Sequence, residues 1–193
     1  TLYAKWNTVS YGITYELNGG VNHSSNPGTF TIESTVTLGE PTLTGHTFAG
    51  WYTDSGFTTA AGSPAIETGT TGDKTFYASW TPNTYTILYN GLNGASNSNP
   101  STCVYGSAAI TLADPGERSG YTFAGWYQGE TQITQIQTNN TGNVAVTAVW
   151  TVNLYSITYY SGGGSNAPGN PSTYTVEQSV ILGNPTRTGY TFA

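Results

Sequence analysis

The side chains that could act as acids, bases or metal ligands are few and scattered. Ten residues carry carboxylates: Glu16, Glu33, Glu40, Asp54, Glu67, Asp73, Asp114, Glu117, Glu130 and Glu177. None belongs to a calcium loop of the Asp-x-Asp-x-Asp-Gly type, and the second half of the chain carries Gly129 and Asn143 near the places of Asp54 and Asp73. No set of nucleophile, base and oxyanion donor can be assembled. The sequence therefore predicts a protein that is not an enzyme, with no catalytic residue, cofactor site or metal site.

The two histidines and the single cysteine offer no stronger candidate. His23 and His46 lie in different segments, and Tyr121 and Tyr190 take the place of His46 where its surrounding sequence recurs. We therefore interpret His46 as an aromatic residue at a rim rather than a metal ligand or a base. Cys103 has no second cysteine with which to form a disulfide within the chain, and we expect it to be a small buried side chain.

Aromatic side chains could bind carbohydrate, since exposed tryptophan and tyrosine faces stack on sugars. Gly-Trp-Tyr occurs twice, with the tryptophans Trp51 and Trp126. The alternative is that these tryptophans anchor a core, each after a glycine that allows close approach of the backbone. Recurrence favours the core role, because a small repeat has to fill its centre each time. Exposed members of the tyrosine set, such as Tyr159 and Tyr160, are the candidates for glycan or mucin recognition.

Composition limits the classes of protein that remain. The chain has 193 residues, only 7% of them charged, and a net charge of −6. Without a basic face to neutralise phosphates, we expect no nucleic acid partner. With 5 Trp, 15 Tyr and 6 Phe, it has too many aromatic residues for a disordered segment, and it therefore folds. No run of about 18 apolar residues is present, so we expect no membrane span in this segment and place any signal peptide or wall anchor outside it.

The same order of sequence landmarks occurs three times. Tyr-x-Ile-x-Tyr begins at Tyr11, Tyr85 and Tyr155, at intervals of 74 and 70 residues. Each start is followed by a Gly/Asn-rich turn, an Asn-Pro pair and a Gly-x-Thr-Phe-Ala sequence, and the complete copies close on strands that end at Trp80 and Trp150. We predict four segments from this repetition: 1–10 as the closing strand of a preceding repeat, 11–84 and 85–154 as complete repeats, and 155–193 as the first half of a further repeat.

Alternating apolar and polar residues, rich in β-branched and aromatic types, predict strands rather than helices. In the first complete repeat we expect five strands, at 11–17, 29–33, 35–38, 46–53 and 74–80. A short helix is compatible with the sequence only at 57–66. The spacers between repeats are too short for free tumbling, which predicts a semi-stiff rod.

These landmarks resemble the Listeria–Bacteroides repeat, also called the internalin B-type B repeat, of bacterial secreted and cell-wall surface proteins. The residues that carry the resemblance in the first complete repeat are Tyr11–Gly20, Asn26-Pro27, Pro41-Thr42, Gly45–Tyr52 and Phe76–Trp80. The resemblance implies a mainly β fold of tandem small β-grasp-like repeats, similar to ubiquitin-like and mucin-binding units, that form an elongated rod. It also implies an extracellular location, in the cell wall or secreted.

Two groups of residues are assigned structural roles. The predicted core anchors are aromatic residues at recurring positions: Trp6, Trp51, Trp80, Trp126, Trp150, Phe48, Phe123, Phe192, Tyr11, Tyr85 and Tyr155. The predicted assembly edges lie in the two interrupted repeats: Thr1, Leu2, Tyr3, Ala4, Lys5, Trp6, Tyr190, Thr191, Phe192 and Ala193. An unpaired strand edge of this kind can be completed by another chain.

The leading functional hypothesis is a non-catalytic spacer or stalk in an adhesin-like bacterial surface protein, which adds weak contacts to a host or a neighbouring cell. Its expected partners are the neighbouring repeats of the same protein. One alternative is a subunit of an extracellular filament, in which the closing strand of one chain completes an interrupted repeat of another. The other alternative is a glycan- or mucin-binding module.

Overall fold

The computed structural model describes residues 1–193, which form strands, turns and loops. The strands are, in chain order, β1 (Ser10–Glu16), β2 (Thr29–Thr31), β3 (His46–Tyr52), β4 (Lys74–Pro82), β5 (Thr84–Asn90), β6 (Thr102–Val104), β7 (Ile110–Thr111), β8 (Tyr121–Gln128), β9 (Thr131–Ile133), β10 (Gln135–Ile136), β11 (Val144–Val152), β12 (Tyr155–Ser156) and β13 (Thr173–Tyr174). The prediction of a mainly β protein is confirmed. The structure holds no helix of the length and apolar character that a membrane span requires.

The first repeat folds as a four-stranded sheet in the order β2-β1-β4-β3. β1 and β4 run parallel at its centre, with Tyr15 opposite Phe76, and the outer strands β2 and β3 are antiparallel to their neighbours. Two parallel neighbours cannot be joined by a tight hairpin and need a long crossover. The crossover from β1 to β4 contains both β2 and β3, so the central parallel pair joins the first and the last strand of the repeat.

Side chains from the inner face of these strands, together with Val36 and Ile66 from the connecting segments, build one core. The core consists of Ile13, Phe30, Val36, Trp51, Ile66, Phe76 and Ala78. Tyr15 packs against this group, with its ring 5.4 Å from that of Trp51 and 6.3 Å from that of Phe76. Because successive residues of a strand point to opposite faces, the residues next to these in β1, β3 and β4 lie on the outer face of the sheet.

The second repeat has a five-stranded sheet in the order β6-β5-β11-β8-β9. Its additional strand, β9, follows β8 through a tight hairpin that places Gln128 opposite Thr131 and Trp126 opposite Ile133. β7 and β10 form a separate two-stranded sheet. The buried apolar side chains of this repeat are Ile87, Ala95, Cys103, Leu112, Trp126, Ile136, Val144, Val146 and Ala148.

The chain divides into two compact units. The first consists of Thr1–Thr86, Thr102–Ile110 and Gln137–Val144, and it contains the whole sheet of the first repeat. The second consists of Ile87–Ser101, Thr111–Ile136 and Ala145–Ala193. In the second unit, β12 and β13 pair with Tyr155 opposite Tyr174, and no residue of 155–193 is buried.

One strand expected from the sequence is absent. Residues 35–38 are not a strand, since only Val36 forms an isolated bridge, with Ile66. Pro64 lies two residues from that bridge and has no amide hydrogen to extend the ladder, whereas the second repeat has Gln135–Ile136 there and forms the paired strands β7 and β10. The segment 57–66, where the sequence left a short helix open, contains none; Gly62 and Pro64 both disfavour a helix interior.

Candidate functional site

The tryptophan of each Gly-Trp-Tyr sequence is buried. Trp51 is 7% exposed and Trp126 is 2% exposed. The indole N–H of Trp51 donates to the carbonyl oxygen of Gly39 at 3.0 Å, and that of Trp126 donates to Ala113 at 2.9 Å. A buried indole needs such an acceptor. Neither ring is therefore available as a platform for a sugar.

A second tryptophan in each complete repeat fixes the closing strand. Trp80 donates its indole N–H to the carbonyl oxygen of Leu17 at 2.9 Å, and Trp150 donates to Gly91 at 2.8 Å. Both are partly buried. In the first repeat, the ring of Phe48 lies edge-on between two indoles, 5.6 Å from Trp51 and 5.5 Å from Trp80.

The same arrangement recurs in the second repeat. Phe123 lies 5.5 Å from Trp126 and 5.4 Å from Trp150. Tyr11 and Tyr85 at the repeat starts are partly buried, and each pairs across the sheet, Tyr11 with Phe30 and Tyr85 with Cys103. Cys103 is buried at this position.

Three of the expected core anchors lie outside any core. Trp6 is 88% exposed, Phe192 is 63% exposed and Tyr155 is 37% exposed. Residues 1–9 belong to no strand, and the segment 155–193 has only a two-residue pair of strands. An aromatic ring is buried only between two packed layers, and these segments supply no second layer.

The expected assembly edges are solvent-exposed. Residues 1–6 are exposed throughout, and Tyr190 is 67% exposed. Beside Phe192 is a crevice of about 190 Å³ that Ser161, Pro185, Arg187 and Tyr190 also line.

Of the two tyrosines named as candidates for glycan recognition, Tyr160 is 93% exposed, whereas the hydroxyl of Tyr159 donates to the carbonyl oxygen of Pro171 at 2.8 Å.

An asparagine in each Asn-Pro pair has a structural role that sequence reasoning missed. The side chain of Asn26 accepts from the Gly39 amide at 2.6 Å and donates to the Gly39 carbonyl at 3.1 Å. Asn99 makes the same pair of bonds to Ala113, and Asn170 makes it to Gly183. The side-chain amide thus replaces a strand neighbour for one residue. The recurrence of Asn-Pro was the available signal.

The first junction between repeats lies within the first compact unit. The amide of Asn83 donates to the carbonyl oxygen of Gly45 at 2.9 Å, and its side chain accepts from the Thr47 hydroxyl at 2.6 Å. Its carbonyl accepts from the Tyr105 amide at 2.8 Å. The ring of Tyr105 lies edge-on to His46 at 5.4 Å, and a Cβ on Gly45, which has a φ of +73°, would overlap it.

The second junction lies within the second compact unit and repeats this pattern. The amide of Asn153 donates to Gly120 at 2.8 Å, and its side chain accepts from the Thr122 hydroxyl at 2.6 Å. Gly120 has a φ of +80°, and a Cβ on it would overlap Val176. Only glycine permits both this backbone conformation and the close contact.

A polar network completes the second junction. The hydroxyl of Tyr121 donates to the carboxylate of Glu177 at 2.7 Å, and the guanidinium of Arg118 lies 3.5 Å from the Tyr121 ring centroid. The hydrogen bond to Glu177 is the main reason that the pKa of Tyr121 lies above its ordinary value. The two junctions therefore share their geometry but differ in chemistry.

A loop found only in the first repeat is organised by Asp54. The carboxylate of Asp54 accepts hydrogen bonds from the amides of Gly56, Thr58 and Thr59. The bonds from Thr58 and Thr59 are the main causes that lower the pKa of Asp54, since they favour its charged form.

No three His, Cys, Asp or Glu side chains come together as a group that could hold a metal ion.

These observations define an array of small all-β repeats, in which two tryptophans organise each complete repeat and a side chain of the next repeat packs against a glycine at each junction. A family model of the Listeria-Bacteroides repeat domain matches residues 11–79, 85–149 and 155–193. The chain belongs to the Listeria-Bacteroides repeat domain family, and the resemblance drawn from its sequence is confirmed.

Two proteins of Evansella cellulosilytica are similar to the chain. One, named "Putative Gly-rich membrane protein", is 34% identical over 190 residues, which cover 96% of this chain and 21% of that protein. The other, named "Putative membrane protein", is 35% identical over 171 residues, which cover 86% of this chain and 25% of that protein. The chain thus spans about a fifth to a quarter of the length of these relatives. No solved structure matches it.

Proposed function

We propose that the chain is a non-catalytic spacer in a bacterial surface protein, where it holds another part of that protein away from the cell. In this proposal the repeats are β-grasp-like units that follow one another as a stiff rod. The names of the two relatives describe membrane proteins, and a spacer of this kind would extend outward from such an anchor. The low content of charge and the absence of methionine suit an extracellular setting.

The observation that carries this proposal is the repeated junction. In both junctions an asparagine of the linker, Asn83 or Asn153, is bound to a glycine carbonyl and to a threonine hydroxyl. In both, a side chain of the following repeat, Tyr105 or Val176, packs directly against that glycine. A linker held at this many points loses the freedom that a flexible tether has. The linker is held in the same way at both junctions, although a His46–Tyr105 contact supports the first and a Tyr121–Glu177 hydrogen bond supports the second. This is expected if the function needs the linker geometry itself.

Small-angle X-ray scattering of the full chain tests the proposal. Wild-type protein is expected to scatter as one stiff, elongated particle, and a variant with Asn83→Gly and Asn153→Gly is expected to scatter as a flexible chain of separate bodies. A matched control is Asn140→Gly, which changes an exposed loop residue. The proposal is wrong if wild-type protein already scatters as a flexible chain, or if the double variant scatters as the wild type does.

A second candidate is a filament in which chains exchange their closing strands. It is favoured by the exposed residues 1–6, whose Leu-Tyr-Ala-Lys-Trp sequence is similar to Phe76–Trp80, and by the crevice beside Phe192. Light scattering of the 193-residue chain and of a variant without residues 1–6 tests this candidate. Assembly that depends on these residues would support it, and a monomer at all accessible concentrations would oppose it.

A further inference from the structure

The outer face of the sheet in the first repeat carries a row of side chains in register. β1 and β4 place Glu16 opposite Tyr77, and β3 and β4 place Tyr52 opposite Tyr77. Their neighbours in sequence, Tyr15, Phe76 and Trp51, belong to the core face, so these three side chains point away from the core. A carboxylate and two phenol rings therefore stand side by side across three strands.

A fourth member of the row comes from the Asp54 loop. Phe57 is 40% exposed, and its ring lies edge-on to that of Tyr52 with the centroids 5.5 Å apart. The backbone of Phe57 has a φ of +54°, which is unfavourable for a bulky residue. The hydrogen bonds that Asp54 accepts hold the loop in this conformation. The loop thus maintains an apolar ring in contact with water.

The row borders an open groove of about 430 Å³, which lies in the size range of small-molecule sites. The polar side chains that line the groove are Glu16, Asn18, Ser55 and Ser79, and its aromatic lining includes Phe57 and Tyr77. No lysine or arginine lines it.

We propose that this groove is a binding site for a neutral glycan of one or two pyranose rings. The face of a pyranose carries C–H groups, which are attracted to the negative face of an aromatic ring. Its hydroxyl groups need donors and acceptors at short range, which the carboxylate, amide and hydroxyl side chains of the groove supply. With no cation in the groove and a net charge of −6 on the chain, sialylated or sulfated sugars are repelled.

The second repeat shows that folding does not require this row. At the place of Tyr77 it has Thr147, opposite Tyr127 in the register. Gln132 lies opposite Tyr127 as Ala60 lies opposite Tyr52, and the shorter connection of the second repeat has no counterpart of Phe57. The side-chain amide of Gln132 is bound to the carbonyl oxygen of Ala124 at 3.1 Å. The core of the second repeat is nonetheless built on the same tryptophans, so the aromatic row is an addition to the first repeat rather than a part of its packing. The site is independent of the spacer role.

The test uses the full chain and an array of neutral, sialylated and sulfated oligosaccharides, followed by NMR titration with the neutral oligosaccharides that bind. Saturable shifts are expected at the amides of Glu16, Tyr77 and Phe57. Tyr77→Thr, which introduces the residue of the second repeat, should weaken binding by about tenfold or more, because one stacking ring is lost. Phe57→Gly should weaken binding similarly while relieving the unfavourable φ, so that loss of binding cannot be attributed to loss of folding.

The matched control is Tyr127→Thr on the second repeat, which should bind as the wild type does. The proposal is overturned if no neutral oligosaccharide shifts these amides at concentrations up to about 10 mM, or if Tyr77→Thr binds as tightly as the wild type. It is also overturned if only acidic sugars bind, or if choline or a lysine peptide, which aromatic rings and a carboxylate could also attract, binds more tightly than any sugar.

Discussion

Replacement of Asn26 by alanine should destabilise the first repeat by about 2 kcal/mol. The side chain of Asn26 makes two hydrogen bonds to the backbone of Gly39, and each such bond contributes about 1 kcal/mol net. The carbonyl of Gly39 still accepts from Trp51 in the variant, at 3.0 Å in the wild type, whereas the Gly39 amide loses its partner. Because Gly39 is partly buried, water can compensate only in part, and the cost stays near that sum.

Urea unfolding followed by NMR measures this effect separately in each repeat. With a slope of about 1–3 kcal/mol per molar urea, the midpoint for the amides of the first repeat should fall by roughly 0.7–2 M, and that of the second repeat should stay unchanged. Asn140→Ala is the control, since its side chain makes one exposed bond, to Gln137 at 3.2 Å. A midpoint in Asn26→Ala that equals the control would refute the interpretation of the Asn-Pro pair.

Three further predictions concern single side chains or glycines. Gly120→Ala should loosen the second junction, because its Cβ would overlap Val176 at a φ of +80°; faster hydrogen exchange is expected at the amide of Asn153, which donates to the Gly120 carbonyl at 2.8 Å, with an unchanged first repeat. Trp126→Phe should cost the second repeat about 2 kcal/mol in urea unfolding, since a buried indole and its hydrogen bond are lost. For Asp54, whose pKa is lowered from an ordinary 3.8, the contribution to loop order is fully present above the ordinary value and is lost as the pH falls through the lowered pKa. Hydrogen exchange at Thr59, corrected for its intrinsic pH dependence, should therefore show less protection below about pH 4.

Each of these predictions has a result that contradicts it. Unchanged exchange at the Asn153 amide in Gly120→Ala would mean that the junction does not depend on the close contact. If Trp126→Phe lowers the free energy of unfolding by less than about 0.5 kcal/mol, the effect is that of an ordinary surface substitution. The buried indole would then not be a main source of the stability of this repeat. For the Asp54 loop, Asp54→Asn should abolish the acid-dependent loss of protection at Thr59, and its persistence in that variant would assign the effect to another group.

The parts of the fold that sequence shows are those with a periodic signal. Alternation in Phe76–Trp80 and the recurrence of Gly-Trp-Tyr are visible in one sequence because each strand presents every second residue to the core. The absence of a strand at 35–38 was not visible, since strand formation there depends on a distant partner segment that contains Pro64. The exposure of Trp6 and Phe192 was not visible either, because a repeated residue type does not reveal whether a second layer covers it.

The features nearest to function were the hardest to predict. The row of Glu16, Tyr77 and Tyr52 joins three strands that are distant in sequence, and only the register brings their side chains together. The position of Phe57 follows from a positive φ that its residue type does not predict. Likewise, the sequence shows that Gly45 recurs in each repeat. It does not show that the Tyr105 ring packs against Gly45, because this contact forms only in the folded junction.

The most direct test of the spacer account is the backbone order parameter of the linker residues Asn83 and Asn153, measured by ¹⁵N relaxation on the full chain. Both amides are bound to glycine carbonyls, at 2.9 and 2.8 Å. The account predicts order parameters of about 0.85 at both, equal to those of rigid strands. Values below about 0.6, typical of a flexible tether, would contradict it.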